Sequence, residues 1–289
     1  LPTTPIQHVD DEQGEIALCI LSAVNVGGLN DLSELENICD LSVRALEQII
    51  DYQDYPVKAA EVSTKKRRSL GIGYIGLAHY LAKHGVKYSD PKAWDIVDRL
   101  TEAFQYHLLR ASNNIAKEKG KCEGFERTKY ADGLLPIDHY KKDVDKIVPH
   151  KQRMAWESLR KDIAKYGLRH STLSAQMPSE SSSVVSNETN GIEPPRALLA
   201  IKKSKKGPLK QIAPGFPKLK NDYTLLWDMP SNEGYINVVA MMQKYFDQAI
   251  SGNWSYNPLQ YENNEVPLSA MAQDMLTAYK LGWKTSYYQ

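Results

Sequence analysis

Four groups of residues have types and spacings that could do chemistry. The first is Pro178-Ser179-Glu180-Ser181-Ser182-Ser183, which follows a strand-like stretch, LRHSTLSAQ (168–176), and precedes a short helical one, VVSNETNG (184–191). Hydroxyls and open amides at a helix start make a phosphate site. The same composition also suits a Ser-rich N-cap loop that holds no ligand. The second is Cys19, alone in the apolar run Ala17-Leu18-Cys19-Ile20-Leu21-Ser22. A lone thiol in that setting packs as a small core residue and implies no redox chemistry by itself. The third is the adjacent pair Tyr287-Tyr288. Tyrosine packs well in strands, but strand neighbours point to opposite faces. Joint action of the two phenols therefore needs a distorted segment or one buried on both sides. The fourth is Gly71-Ile72-Gly73-Tyr74-Ile75-Gly76, which has the glycine spacing of a dinucleotide-binding turn. That turn also needs a hydrophobic strand before it and an acidic residue about 20 positions later that closes the next strand. Here STKKRRSL (63–70) precedes it, and Asp90 and Asp95 fall at a helix start. The glycines read instead as close packing at a strand-to-helix turn.

Elements must hold these groups in place. Residues 1–15 read as an extended acidic loop, and the apolar run within 16–23 predicts a buried strand. Ser33 and Glu36 have capping-box spacing, followed by Leu35, Ile38, Cys39, Val43, Leu46, Ile49 and Ile50 on one helical face. That helix is expected to end near Tyr55-Pro56. Ser89-Asp90-Pro91 opens a long helix that stops at Gly120. A further helix is predicted from about 151 to the Gly167 cap. A Lys-rich hairpin follows over 197–212, then helices over 234–250 and 267–281 and a closing β-type segment, WKTSYYQ (283–289). Helices alternating with short strands predict the α/β class. No internal repeat or low-complexity linker divides the chain.

Composition narrows the function. The chain has 289 residues, 42% hydrophobic and 25% charged, enough for a substantial core. A net charge of +1 gives no field for nucleic acid or for a membrane surface. The basic runs 65–68 and 202–206 are short, lack interleaved aromatics and read as solvated loops. No apolar run spans a bilayer, and LPTTPIQHVDDEQGE (1–15) lacks the basic and apolar regions of a signal peptide. Cys19, Cys39 and Cys122 are odd in number and widely spaced, which fits a reducing, cytoplasmic setting. No Cys or His spacing predicts a metal site.

In order, a set of longer phrases gives the chain a family likeness. They are Leu1-Pro2-Thr3, EIALCILSAVNVG (15–27), DYQDYP (51–56), YLAKHGVKYSD (80–90), LPID (135–138), GLRHSTLSAQMPSESSSVVSNETNGIEPPR (167–196), LTAYKLGWKT (276–285) and Tyr287-Tyr288. The chain resembles, from end to end, the C-terminal half of class I ribonucleotide reductase large subunits of bacterial and phage type. The resemblance implies the fold: the second half of a ten-stranded α/β barrel, made of two antiparallel half-barrels around a finger loop. Residues 1–289 then form one partial catalytic-barrel domain. It also implies the activity, radical-based reduction of ribonucleoside diphosphates to deoxyribonucleoside diphosphates.

Residue roles follow from the same resemblance. Cys19 matches one thiol of the reducing pair, whose partner lies in the N-terminal half. Pro178, Ser179, Glu180, Ser181 and Ser182 match the substrate phosphate loop, and Tyr287 and Tyr288 match the tyrosines that carry the radical. The family's thiyl cysteine falls immediately upstream of the Leu1-Pro2-Thr3 phrase. The implied partners are therefore the N-terminal part of the large subunit, a small subunit that supplies a metal-generated radical, and thioredoxin or glutaredoxin as reductant. No cofactor is expected on this chain, which is expected to be inactive alone. The alternative is a non-catalytic module that keeps diphosphate binding or small-subunit binding.

Overall fold

A computed structural model describes residues 14–204 and 207–287. Strand β1 (Ile20–Asn25) leads through a short 3-10 turn into helix α1 (Glu34–Tyr52). Helix α2 (Lys58–Arg67) follows, then β2 (Leu70–Ile75) and α3 (Leu77–Lys83). The long α4 (Pro91–Lys119) has proline in its first turn and ends at Gly120 in a positive-φ conformation, as its sequence predicts. A single turn, α5 (Pro136–His139), and α6 (Trp156–Tyr166) lead to α7 (Glu180–Val185). The Lys-rich hairpin is β3 (Leu199–Ser204) paired antiparallel with β4 (Gly207–Ile212). Helices α8 (Glu233–Gln243) and α9 (Leu268–Leu281) complete the order.

Strand β2 is the centre of the architecture. It pairs parallel with β1 from Ile20↔Leu70 to Asn25↔Ile75. On its other side lies the segment 172–176, tied by Ile72 N to Leu173 O at 2.8 Å and Ala175 N to Ile72 O at 3.1 Å. Parallel bridges Gln176↔Ile250 and Gly252↔Ser286 extend the series to the end of the described chain. The lateral order is thus β1, β2, 172–176, 250–252, 286, all parallel. Neighbouring strands joined by helical crossovers take this form because each crossover packs back on one face of the sheet. An open run of five parallel segments joined by four pairings is what half of a barrel requires, so the α/β half-barrel expectation holds.

One face of this sheet is dry. Leu70, Ile72 and Tyr74 are fully buried against α1 and α4. The Tyr74 ring stands edge-on to Phe104 at 5.4 Å and to Phe246 at 5.9 Å. Along α4, Ala93, Val97, Leu100, Phe104, Leu108, Ala111 and Ile115 keep helical spacing and are all buried. No helix among the described residues is long and apolar enough to cross a membrane.

The lower end of the sheet is fastened by a buried charge cluster. Glu47, on α1, accepts from Arg68 Nε at 2.8 Å, Arg169 Nε at 2.8 Å and His170 Nε2 at 3.0 Å. Arg68 also pairs with Asp51 at 2.8 Å, and Lys119 Nζ stands 3.9 Å from Glu47. Ser112 Oγ is 2.9 Å from His170 Nδ1. Burial alone would raise the Glu47 carboxyl, but the three donors outweigh it and hold it at about 2. Burial pushes His170 down. A neutral imidazole that accepts a hydrogen bond from Ser112 Oγ at Nδ1 and donates one to Glu47 from Nε2 satisfies both contacts.

Several local expectations change. The run 65–68 is not a solvated loop: it closes α2, and Arg68 is buried on Glu47 because that carboxylate needs a counter-charge. The Ser33 capping box does not form. Ser33 is helical and its amide donates to Asp31 Oδ1 at 2.8 Å, so Asp31 takes the capping role two residues earlier. The first strand starts at Ile20, and Leu21 on it is 51% exposed, because the sheet face opposite the helices is bare. The Ser-rich run itself forms α7, whereas 186–191 turns back. Residues 1–13, including the Leu1-Pro2-Thr3 phrase, lie outside the described residues.

Glu47→Gln leaves Arg68 and Arg169 without their buried counter-charge, an expected loss of about 3–5 kcal/mol at pH 7. Because the folded carboxyl titrates below its ordinary value, its contribution is present above pH 4.5 and is lost as pH falls toward 2. Urea denaturation across that window should show the gap between the two proteins closing with acid.

Candidate active site

Gly71 and Gly73 face the bare side of the sheet, two residues apart on one face of β2. A Cβ on Gly71 would stand 2.5 Å from Leu21 Cδ2, 3.3 Å from Cys19 Sγ and 3.4 Å from Ala175 Cβ. A Cβ on Gly73 would stand 2.5 Å from Ala175 O and 2.9 Å from Gln176 Oε1. The glycines therefore let the neighbours on both sides close over β2. This is the packing role expected of 71–76; Gly76, at φ +82°, makes the turn into α3. No dinucleotide turn forms, because the motif is itself the buried strand.

Cys19 is fixed from below. Glu15 pairs with Arg67 at 2.5 Å and Lys66 at 3.4 Å, Ile16 N donates to Ala59 O, and Ile20 N donates to Ser69 O. The thiol is half-buried on the bare face, so it is not the core residue its apolar neighbours suggest. Burial pushes its ionisation up, which keeps it a thiol at neutral pH.

The Ser-rich loop leaves the sheet by a substitution of side chain for backbone. Past Ala175 the chain diverges from β2, and the Gln176 amide takes over the pairing. Its Oε1 accepts from Tyr74 N at 3.1 Å and its Nε2 donates to Tyr74 O at 3.0 Å. The chain is then free to turn through Pro178 to Ser179, which precedes α7. Ser183 N donates to Ser179 O at 3.0 Å, and Ser183 Oγ to Glu180 O at 2.7 Å. Pro178, Glu180, Ser181 and Ser182 are exposed. Ser179 is 5% exposed and its Oγ has no hydrogen-bond partner among the described residues.

The loop is fastened again where it returns. Glu188 holds His79 Nδ1 at 3.0 Å and accepts from Thr189 N at 2.8 Å. Gly76 N and Leu77 N donate to Thr189 O and Gly191 O. Below it, half-buried Asp247 accepts from Leu173 N at 2.8 Å, Ser174 N at 3.0 Å and Tyr130 Oη at 3.0 Å. The loop is thus a rigid turn between two anchors, built to hold its hydroxyls still. Gln176 and Glu188 fall inside the phrase 167–196 but nothing in the sequence reveals their contacts, and Asp247 carries no motif. Only the position of Gln176 at a strand end hinted at its role.

Tyr287 lies at the far side of the sheet. Its amide donates to Gly252 O at 3.0 Å, beside the bridge Gly252↔Ser286, and its ring is 50% exposed. Tyr288 lies outside the described residues. Cys19, Ala175, Gln176 and the Ser179 loop are therefore brought together over β2, while Tyr287 approaches across the last bridge. Among the described residues no group of three or more His, Cys, Asp or Glu could hold a metal ion.

The three thiols separate chemically. Cys39 is fully buried behind α4, 3.9 Å from Phe104 O, and Cys122 is 3% exposed and pushed up to about 11 by burial. In alkylation of the native protein read by peptide mass spectrometry, Cys19 is expected to react at least about 100-fold faster than either, because reactivity follows thiolate fraction and access. Equal labelling of all three would contradict this placement.

The comparisons with known proteins agree with this geometry. The chain is 57% identical over its whole length to the ribonucleoside-diphosphate reductase subunit alpha of Haemophilus influenzae, covering 38% of that protein. It is 54% identical over 240 residues to the 1 subunit alpha of Escherichia coli, covering 83% of this chain and 32% of that one. Against the Enterobacteria phage T4 subunit alpha it is 41% identical over 288 residues, 98% of this chain and 38% of the other. The chain thus spans about two fifths of the length of these curated relatives. The profile described as "Ribonucleotide reductase, barrel domain" matches residues 4–223 and 217–289. With that coverage, and with the parallel half-barrel that it folds into, the chain belongs to the ribonucleotide reductase barrel-domain family.

Proposed function

We propose that this chain forms the C-terminal half-barrel of the catalytic subunit of a ribonucleoside-diphosphate reductase. It reduces ribonucleoside diphosphates to deoxyribonucleoside diphosphates when joined to the N-terminal part of the large subunit and to the small subunit. The observation that carries this reading is the continuous line over β2 from the Cys19 thiol, past Ala175 and Gln176, to the Ser179 loop. A diphosphate held at one end of that line places its ribose toward the thiol at the other. The printed names of the relatives, ribonucleoside-diphosphate reductase subunits alpha, support the substrate class.

Each residue has a distinct task. Ser181 and Ser182 offer exposed hydroxyls at the start of α7, and the anchors at Gln176 and Glu188 keep them in place, so orientation of the substrate costs little further entropy. Cys19 supplies one thiol of a pair; its partner comes from the N-terminal part of the subunit, because Cys39 and Cys122 are buried away from the bare face. The balance is a ribonucleoside diphosphate and two thiols giving a deoxyribonucleoside diphosphate, water and a disulfide. Two electrons and two hydrogens leave the thiols, and the 2′ oxygen leaves as water. Thioredoxin or glutaredoxin returns the disulfide to thiols. The small subunit supplies the metal-generated radical, which reaches the barrel through Tyr288 and Tyr287. An exposed apolar row on α9, formed by Leu268, Met275, Leu276 and Tyr279, leads into the Tyr287 segment and offers a surface for that partner.

In the assembled enzyme, Cys19→Ser is expected to lower steady-state turnover by on the order of 10³-fold or more while the small-subunit radical, read by electron paramagnetic resonance, is unchanged. Sustained multiple turnovers would remove Cys19 from its role. Ser181→Ala and Ser182→Ala each delete one hydroxyl contact, worth about 1 kcal/mol, and should raise KM for CDP roughly fivefold with a smaller change in kcat. Unchanged KM in both would place the phosphates elsewhere. Tyr287→Phe removes the phenolic proton and should abolish radical delivery; near-normal activity would sink the conduit.

A further inference from the structure

Glu193 is a carboxyl beside the phosphate loop that the chemistry above does not use. Its Oε1 accepts from Asn253 Nδ2 at 3.1 Å. Its Oε2 lies 3.0 Å from the point where a Cβ on Gly191 would stand. Ser179 Oγ lies 3.3 Å from that same point, and Gln176 Nε2 3.7 Å. Three polar groups thus converge on a notch kept open by a residue without a side chain, whose φ of +50° itself favours glycine. Buried hydroxyls are ordinarily satisfied, yet Ser179 Oγ is buried, aimed into this notch, and has no partner among the described residues.

The charge environment of Glu193 is one-sided. Among the described residues it is faced by the Tyr88 and Tyr235 phenols, the backbone amides of Ile192 and Glu193 and the Asn253 amide; the amides favour the carboxylate, but no cation offsets its charge and burial outweighs them. Both phenols are buried, and burial pushes their own ionisation well above the ordinary range. They stay neutral whenever Glu193 titrates. Burial raises the Glu193 carboxyl to about 7. The sign is that of a group held neutral: below that pH it is a donor, above it a second negative charge beside the loop.

We propose that Glu193 is a substrate-binding residue that acts in its protonated form: its Oε2–H and the Ser179 hydroxyl together grip one phosphate oxygen over Gly191, and the diphosphate binds with uptake of a proton. This rests on the reading of 178–182 as the diphosphate loop. The phosphate charge, arriving beside the carboxyl, raises its affinity for a proton further, so affinity for the diphosphate falls as pH rises through neutrality.

The test is CDP binding to the intact large subunit, without the small subunit, by equilibrium dialysis between pH 6 and 8. The neutral fraction of a group titrating near 7 falls from roughly 0.9 to roughly 0.1 over that range, so wild-type Kd should rise about tenfold. Glu193→Gln keeps a neutral donor at every pH, and its Kd should change by less than about twofold. Ionisation of the CDP itself is common to both proteins and cancels in the comparison. The same pH dependence in both would overturn the proposal and leave the loop assignment standing. Failure of the wild type to bind CDP at any pH would sink the loop assignment as well. Titration calorimetry of the wild type at pH 8 in buffers of different ionisation enthalpy gives a reading that does not depend on the variant folding. Uptake of about one proton per CDP is expected; no uptake would overturn the proposal.

Discussion

The structure depends on the absence of side chains at Gly71 and Gly73. β2 is buried along its whole length, yet at Gly71 and Gly73 one side presents only hydrogen atoms to its neighbours. That lets Cys19 approach from β1 and Ala175 and Gln176 from the opposite strand until they nearly meet above it. A methyl at 73 would meet a backbone carbonyl, which cannot rotate away. The thiol and the Ser179 loop come from segments far apart in sequence, and the space over β2 is what joins them. Stability and function draw on the same strand: its other face carries Leu70, Ile72 and Tyr74 into the helix layer.

Around that strand, side chains stand in for backbone wherever the sheet must give way to the site. The Gln176 amide continues the ladder to Tyr74 after the chain itself has turned off toward Pro178. The Asp247 carboxylate collects the amides of Leu173 and Ser174. Glu188 ties the returning end of the loop to α3 through His79. Buried polar groups of this kind are costly unless fully paired. Here they are paired, and they hold a Ser-rich turn that short helical hydrogen bonding alone would leave loose. The Glu47 cluster does the same at the opposite end, so the strands are pinned at both ends.

Much of this was legible in the sequence and some was not. Helix α4 announced itself through Pro91, Gly120 and its apolar spacing. The hairpin expected over 197–212 formed at 199–212, and the cap at Gly167 followed from its glycine. The glycines of 71–76 were correctly read as packing residues, but their position inside the strand, rather than after it, was hidden by the charged residues before them. KKRR reads as solvent-facing because no local pattern reveals Glu47, about twenty residues earlier, as the buried partner of Arg68. Cys19 reads as core because its neighbours are apolar; only the arrangement of strands shows that its face is bare. The long phrase 167–196 singled out the Ser-rich loop as the expected phosphate site by resemblance, whereas Gln176, Glu188 and Glu193 gain meaning only from what they touch.

The central claim is that the thiol over Gly71 supplies electrons to a substrate held at the Ser179 loop. The direct measurement is the oxidation state of Cys19 after a single turnover. The assembled enzyme would be pre-reduced, freed of external reductant, given CDP, quenched with acid and alkylating agent, and mapped by mass spectrometry. The account predicts one Cys19-containing disulfide for each dCDP formed, with Cys39 and Cys122 still free thiols. Formation of dCDP with Cys19 left reduced would contradict it.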